Sequence, residues 1–236
     1  MVEIVNLHKS FGKVDVLQGI NLTIAEKGIV AILGPNGSGK TTLIKSILGM
    51  VIPQKGDIRI NSETILGEWN YRNDISYMPQ IANFPQNLRV QELIDMIKNL
   101  REETTLDADI IQKFGLTPFL DKKLGNLSGG TRQKVNIVLT FMFDSPLIIL
   151  DEPTTGLDPV ALIYLKQLIR EEKAKGKIIL ITTHIMKLVE EIADKVIFLL
   201  DGNIYFNGTI EQLKTQTAQD DLEHAIAEIL KKEYEG

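Results

Sequence analysis

The stretch Gly34-Pro35-Asn36-Gly37-Ser38-Gly39-Lys40-Thr41-Thr42 decides how the rest of the chain is read. The run Ile29-Val30-Ala31-Ile32-Leu33 leads into it, short, fully apolar and rich in branched residues, which predicts a parallel strand covered on both faces. Leu43, Ile44, Ile47 and Leu48 follow it at the spacing of one helix face. Gly-x-x-x-x-Gly-Lys-Thr in a strand–loop–helix setting implies a nucleoside-triphosphate site. Glycines let successive N–H groups curl around phosphate oxygens, and the helix N-terminus adds partial positive charge. Lys40 then reaches the β- and γ-phosphates, and the Thr41 hydroxyl is placed to ligate Mg²⁺.

Outward from this loop, the chain predicts alternating strands and helices. Val2-Glu3-Ile4-Val5-Asn6-Leu7 and residues 16–24 alternate with period two around Gly12 and Gly28, as antiparallel strands with one wet face do. Phe11 between them is either a half-buried strand-end aromatic or a ring that stacks on a base. Two short strands are expected over 57–60 and 75–78, and Pro79-Gln80 follows the second. Residues 81–126 change to helical spacing, with Leu93, Ile94, Ile97 and Leu100 on one face. Further apolar strands over 146–150, 178–181 and 196–200 end, or are followed, by polar residues. A parallel α/β sheet with its ligand along the strand C-termini is the class this implies, with Gly34, Asp151-Glu152 and His184 directed to one phosphate site.

Asp151, a carboxylate ending an apolar strand, is the expected Mg²⁺ partner. Glu152 beside it is suited to position or deprotonate an attacking water. Asp158 suits the cap of the helix that starts near Pro159. His184 is suited to hydrogen-bond the γ-phosphate, whereas His8 and His224 read as surface residues.

The 236 residues are 44% apolar and 24% charged, which is globular composition. Net charge is −5, with no general reason to bind nucleic acid. The last seventeen positions hold six acids against two bases, marking a distinct acidic element. Leu222, Ile226, Ile229 and Leu230 give it an apolar face, and Asp220 with Glu223 resembles a capping box. No run is long enough to span a membrane, no secretion signal is predicted, and cysteine is absent, so a cytosolic chain is expected.

The chain resembles the ATP-binding subunit of an ABC transporter over residues 1–214. The phosphate loop alone fits any P-loop NTPase; Leu127-Ser128-Gly129-Gly130 followed by Leu147-Ile148-Ile149-Leu150-Asp151-Glu152-Pro153 singles out this family. The resemblance implies a RecA-like core, an N-terminal antiparallel β subdomain and an inserted helical subdomain over about 81–145, followed by an acidic amphipathic helix over 215–236. It makes Gln80 the Q-loop residue and a metal neighbour with Thr41 and Asp151, Asp158 the D-loop acid, His184 the switch histidine and Phe11 the adenine-stacking ring. It further implies ATP and Mg²⁺, and a separate transmembrane permease that holds the chain on the inner face of the membrane. A second copy pairs head to tail, so that Ser128, Gly129 and Gly130 serve the partner's nucleotide. Thr131 departs from the usual signature, which ends in Gln. The finer pattern is similar to ABC-2-type exporter ATPases and to those of nitrous-oxide-reductase maturation. A soluble ABC ATPase of translation or DNA repair is the rival; it usually carries two cassettes, long inserts or a basic surface.

Overall fold

Val2 and Ile24, the ends of two alternating stretches, face each other across an antiparallel ladder. In the computed structural model, which describes residues 1–101 and 105–235 and no side chain beyond 231, these are β1 (Val2–Phe11) and β2 (Val14–Ile24). The acids Glu233 and Glu235, Lys232 and Gly236 of the expected tail lie outside the described side chains. Chain order continues with β3 (Gly28–Leu33), α1 (Lys40–Ile47), β4 (Lys55–Ile60), β5 (Glu63–Thr64), β6 (Ile75–Met78), α2 (Val90–Lys98), α3 (Asp107–Lys113), α4 (Gly129–Phe141) and β7 (Leu147–Asp151). It ends with α5 (Pro159–Ala174), β8 (Ile178–Thr182), α6 (Met186–Ile192), β9 (Lys195–Leu200), β10 (Asn203–Gly208), α7 (Ile210–Thr217) and α8 (Leu222–Glu235).

The chain divides into two compact units, Met1–Tyr71 with the chain from Leu180 onward, and Arg72–Ile179. In the first, β2, β1, β4 and β5 form an antiparallel sheet in that order. Val2, Ile4 and Leu7 of β1 and Leu17, Ile20, Leu22 and Ile24 of β2 are buried, an alternation interrupted where the register shifts between Ile4 and Leu7, which leaves one wet face as in an antiparallel sheet. The same unit pairs β3 parallel to β9 and β9 antiparallel to β10. Every residue of β3 is buried, as its unbroken apolar run requires.

Helix α8 packs its apolar face into this unit. Leu222, Ala225, Ile226 and Ile229 are buried in one cluster with Val189, Phe198, Phe206 and Leu213. Residues 215–217, expected in the terminal helix, belong instead to α7, which a Thr209–Gln212 capping box starts. The cap of α8 also falls one residue later than the Asp220–Glu223 pattern suggests. Asp221 accepts from the His224 N–H at 2.9 Å, because burying Leu222 fixes the register.

In the second unit β6 runs parallel to β7. Helices α2, α3 and α4 bury Leu93, Ile94, Ile110, Ile111, Val135 and Val138. Leu100 is the exception to the expected face of α2. The helix ends at Lys98, and Leu100 is 74% exposed. No helix among the described residues is long and apolar enough to cross a membrane.

Candidate functional site

Gly34 leaves β3 with φ at 148°, and a Cβ there would lie 2.2 Å from the carbonyl oxygen of Leu199, so glycine alone fits. The loop then turns back on itself: Lys40 Nζ donates to the carbonyls of Gly34 at 2.7 Å and Pro35 at 2.9 Å. Asn36 and Gly37 are exposed at its tip, while Ser38 and Gly39 are buried. Gly39 caps α1 in the left-handed region, with no side-chain acceptor and no acid in the first turn. Helices α4, α5 and α7 all begin instead with a side chain accepting a backbone N–H. The N-terminus of α1 therefore presents N–H groups and helix dipole with no carboxylate to satisfy them, which suits a phosphate. Ser38 Oγ, buried and without a hydrogen-bond partner, adds a polar group to the same loop. Thr41 is exposed and Thr42 half-buried in the first turn.

Phe11 ends β1 paired with Val14; the residue is 52% exposed, and its ring centre lies 5.0 Å from Lys9 Nζ. Two residues along β2, the Val16 carbonyl lies against Gly39, so the hairpin bearing Phe11 abuts the end of the phosphate loop. An exposed ring there has the surface a base stacks on. His184 is exposed in the loop after β8, where Ile185 N–H donates to Thr183 Oγ1 at 3.2 Å.

The second unit carries the carboxylates. Asp151 is the buried last residue of β7, and Glu152 follows with φ at 48°. A glutamate held in the left-handed region costs of order 1–3 kcal/mol, a strain typical of residues placed for function. Strand β6 contributes Tyr77, whose hydroxyl pKa is pushed up to about 12 by burial and by the charge of Asp151. Gln80, two residues beyond β6, is exposed. Among the described residues no three His, Asp or Glu side chains cluster as a protein metal cage. A single strand-end carboxylate, with substrate phosphates completing the shell, is a donor set that Mg²⁺ commonly takes.

Ser128 caps α4, accepting from Thr131 N–H at 3.2 Å, and it is exposed together with Gly129. Gly130 is packed so tightly that a Cβ would lie 2.7 Å from the carbonyl oxygen of Gly156. Asp158 fills the cap expected of it, accepting from Ala161 N–H at 2.8 Å, and pairs with Lys134 at 2.7 Å. The Lys134 hydrogen bond and the backbone N–H hold its carboxyl below the ordinary value.

Sequence reasoning overlooked what else α4 does. Gln133 Nε2 donates to the Pro153 carbonyl at 3.1 Å and Asn136 Nδ2 to the Pro79 carbonyl at 3.0 Å. One helix thus holds the turn after Glu152, the loop of Asp158 and the segment before Gln80. Polar Gln133, Asn136 and Thr140, buried at positions 3 and 4 apart among apolar neighbours, were the signal.

A glycine loop opening α1, a carboxylate pair at the end of β7 and a Leu127-Ser128-Gly129-Gly130 helix start with Ser128 and Gly129 exposed are each marks of an ATP-hydrolysing cassette. The ABC transporter family model matches residues 17–155. The lantibiotic transport ATP-binding protein SrtF of Streptococcus pyogenes is 32% identical over 210 residues, covering 86% of this chain and 89% of that one. The arginine transport ATP-binding protein ArtM of Bacillus subtilis is 32% identical over 240 residues, covering 96% and 100%. A solved ATP-binding subunit of an ABC transporter superposes with a TM-score of 0.90 at 29% identity, covering 98% and 99%. The chain belongs to the ABC transporter ATP-binding family, and its enzymatic activity is ATP hydrolysis.

Proposed function

We propose that this chain powers a membrane transporter by closing head to tail on a second copy around Mg-ATP, docked to a separate permease subunit on the cytoplasmic face. The observation that carries the nucleotide end is the start of α1, which follows the glycine loop with no side-chain cap. Exposed Ser128, at the N-terminus of a 13-residue helix, supports the pairing, since it offers a hydroxyl and dipole to an anion on a facing molecule.

In this reading Lys40 and the loop N–H groups bind the β- and γ-phosphates, and Phe11 stacks on adenine. Thr41 and Asp151, with Gln80 nearby, hold Mg²⁺, which when bound neutralises charge on the phosphate oxygens. Glu152 accepts a proton from the attacking water, and His184 donates to the γ-phosphate. Catalysis of this kind is positioning and charge stabilisation, so binding and hydrolysis separate by mutation. Half-buried Phe84 and Leu88, in the Pro85 loop beyond Gln80, offer apolar surface to a helix of the permease.

Glu152→Gln keeps size and a hydrogen-bonding oxygen but loses basicity. ATPase activity is expected to fall about 10²–10⁴-fold. Sedimentation velocity with Mg-ATP should show this variant as a dimer, and Lys40→Ala as a monomer that has lost nucleotide. A Glu152→Gln chain that hydrolyses at the parental rate, or stays monomeric at saturating ATP, sinks the reading.

A further inference from the structure

Ser128 and Thr131 share more than a helix cap. Their hydroxyl oxygens lie 2.9 Å apart, and the same Ser128 Oγ accepts the Thr131 N–H at 3.2 Å. Ser128 is exposed and Thr131 half-buried behind it. A serine hydroxyl has two lone pairs and one proton. When Thr131 donates through both its N–H and its O–H, both lone pairs of Ser128 are filled. Its own proton is then left to point outward.

We infer that Thr131 is a positioning residue that sets Ser128 as a committed donor toward the γ-phosphate carried by the second copy; this rests on the head-to-tail pairing proposed above. Chemistry explains why threonine does this and the usual glutamine does not. Thr131 stands at the third helical position, where a glutamine side chain reaches back to the backbone N–H of the cap residue, as in a capping box. A threonine hydroxyl sits on Cβ and is too short for that. Restricted at χ1 by its branch, it meets the cap side chain instead. The substitution thus exchanges a backbone contact for control of the hydroxyl proton.

The test uses the full chain in the Glu152→Gln background, so that ATP is held rather than consumed. Thr131, T131S, T131V and T131A are compared by sedimentation velocity with Mg-ATP, by binding of a fluorescent ATP analogue to dilute monomer, and by thermal melting without nucleotide. T131V and T131A keep the N–H to Ser128 and so the helix cap; melting and monomer binding should match Thr131. Dimerisation should weaken about tenfold, since each dimer contains two such seams and a hydrogen bond contributes about 0.5–1.5 kcal/mol. T131S should restore it to within about twofold, on the same hydrogen-bond scale. Valine and alanine variants that dimerise as tightly as Thr131, or a serine variant as weak as valine, overturn the inference. A Thr131 parent that stays monomeric overturns the pairing itself, and the inference with it.

Discussion

Lys134 of α4 holds Asp158, the cap of α5, at 2.7 Å. In the chain the two flank β7, which ends in Asp151, and α4 also holds the carbonyls of Pro153 and Pro79. The helix that opens with Ser128 therefore fixes three loops of its unit at once. The loop before it is tied in as well: Leu124 and Gly125 donate to the carbonyls of Leu88 and Gln86 at 2.8 and 3.1 Å. A push on the segment proposed to meet the permease has a bonded route to the signature serine.

Removing Lys134 should loosen the Asp158 loop without touching the phosphate cradle. Asp158 keeps its backbone bond to Ala161, so α5 stays capped and the melting temperature is expected to hold. For Lys134→Met we expect severalfold slower ATP turnover with unchanged ATP affinity at low protein concentration. Steady-state kinetics with a separate nucleotide titration checks this; a pure loss of affinity contradicts it.

Gly130→Ala tests the close approach of two loops. Its methyl group would meet the Gly156 oxygen at 2.7 Å, and backbone on both sides cannot swing aside as a side chain does. We expect a destabilisation of about 1–3 kcal/mol, the usual cost of overpacking. Gly129→Ala, with open space around it, should be close to neutral for folding. Urea unfolding of both variants compares them directly.

Much of this was legible in the sequence because it rests on short-range pattern. The strand–loop–helix around Lys40, the alternation in β1 and β2, and the apolar runs of β7 and β9 each announce themselves within a few residues. Asp158 as a cap was readable for the same reason. The bonds of Gln133, Lys134 and Asn136 were not, because their partners stand 20, 24 and 57 positions away and are mostly backbone carbonyls. Strand β10 also escaped notice: Asn203 to Gly208 is short and holds only three apolar residues between polar ends, and it pairs because the Gly202 turn folds it onto β9. Leu100 looked like the end of an apolar stripe, but the helix stops before it.

Glu172 and Lys177 form an ion pair whose side chains are only 5% and 7% exposed. Breaking a buried pair from one side strands a charge and typically costs about 3–5 kcal/mol. Lys175 also reaches Glu172 at 2.6 Å and remains available, so Lys177→Met should cost less, about 2–3 kcal/mol. Replacing both residues, as Glu172→Leu with Lys177→Met, should lose less than the sum of the single variants. Denaturant unfolding of the full cycle decides; additive losses would show that the two side chains act independently.

Helix α8 is held at its first residue by a side chain of α6. Glu190 Oε1 accepts the Leu222 N–H at 3.0 Å and pairs with Lys214 at 2.9 Å, joining α6, α7 and α8. The hydrogen bond to Lys214 is the chief reason that the Glu190 carboxyl lies below its ordinary value of 4.5 and the Lys214 ammonium above 10.5. The depressed carboxyl contributes stability above the ordinary glutamate value and loses it as pH falls through its folded value. The raised lysine contributes fully below 10.5 and loses its part only above that. Between these limits the clamp is constant, and acid opens it. Against it stand the buried Leu222, Ile226 and Ile229, each contributing about 1.5–3 kcal/mol, so the apolar face outweighs one charge-assisted bond of about 1.5–3 kcal/mol. Glu190→Gln should therefore raise amide exchange at Leu222 several-fold while the rest of α8 stays protected. Ile226→Asp should expose the whole helix. In the parent chain, protection at Leu222 should hold from neutral pH down to the ordinary glutamate range and drop below it, while in Glu190→Gln it should lack that step. Exchange protection measured against pH in both chains is the check, and a step of equal size in each would assign the acid transition to another group.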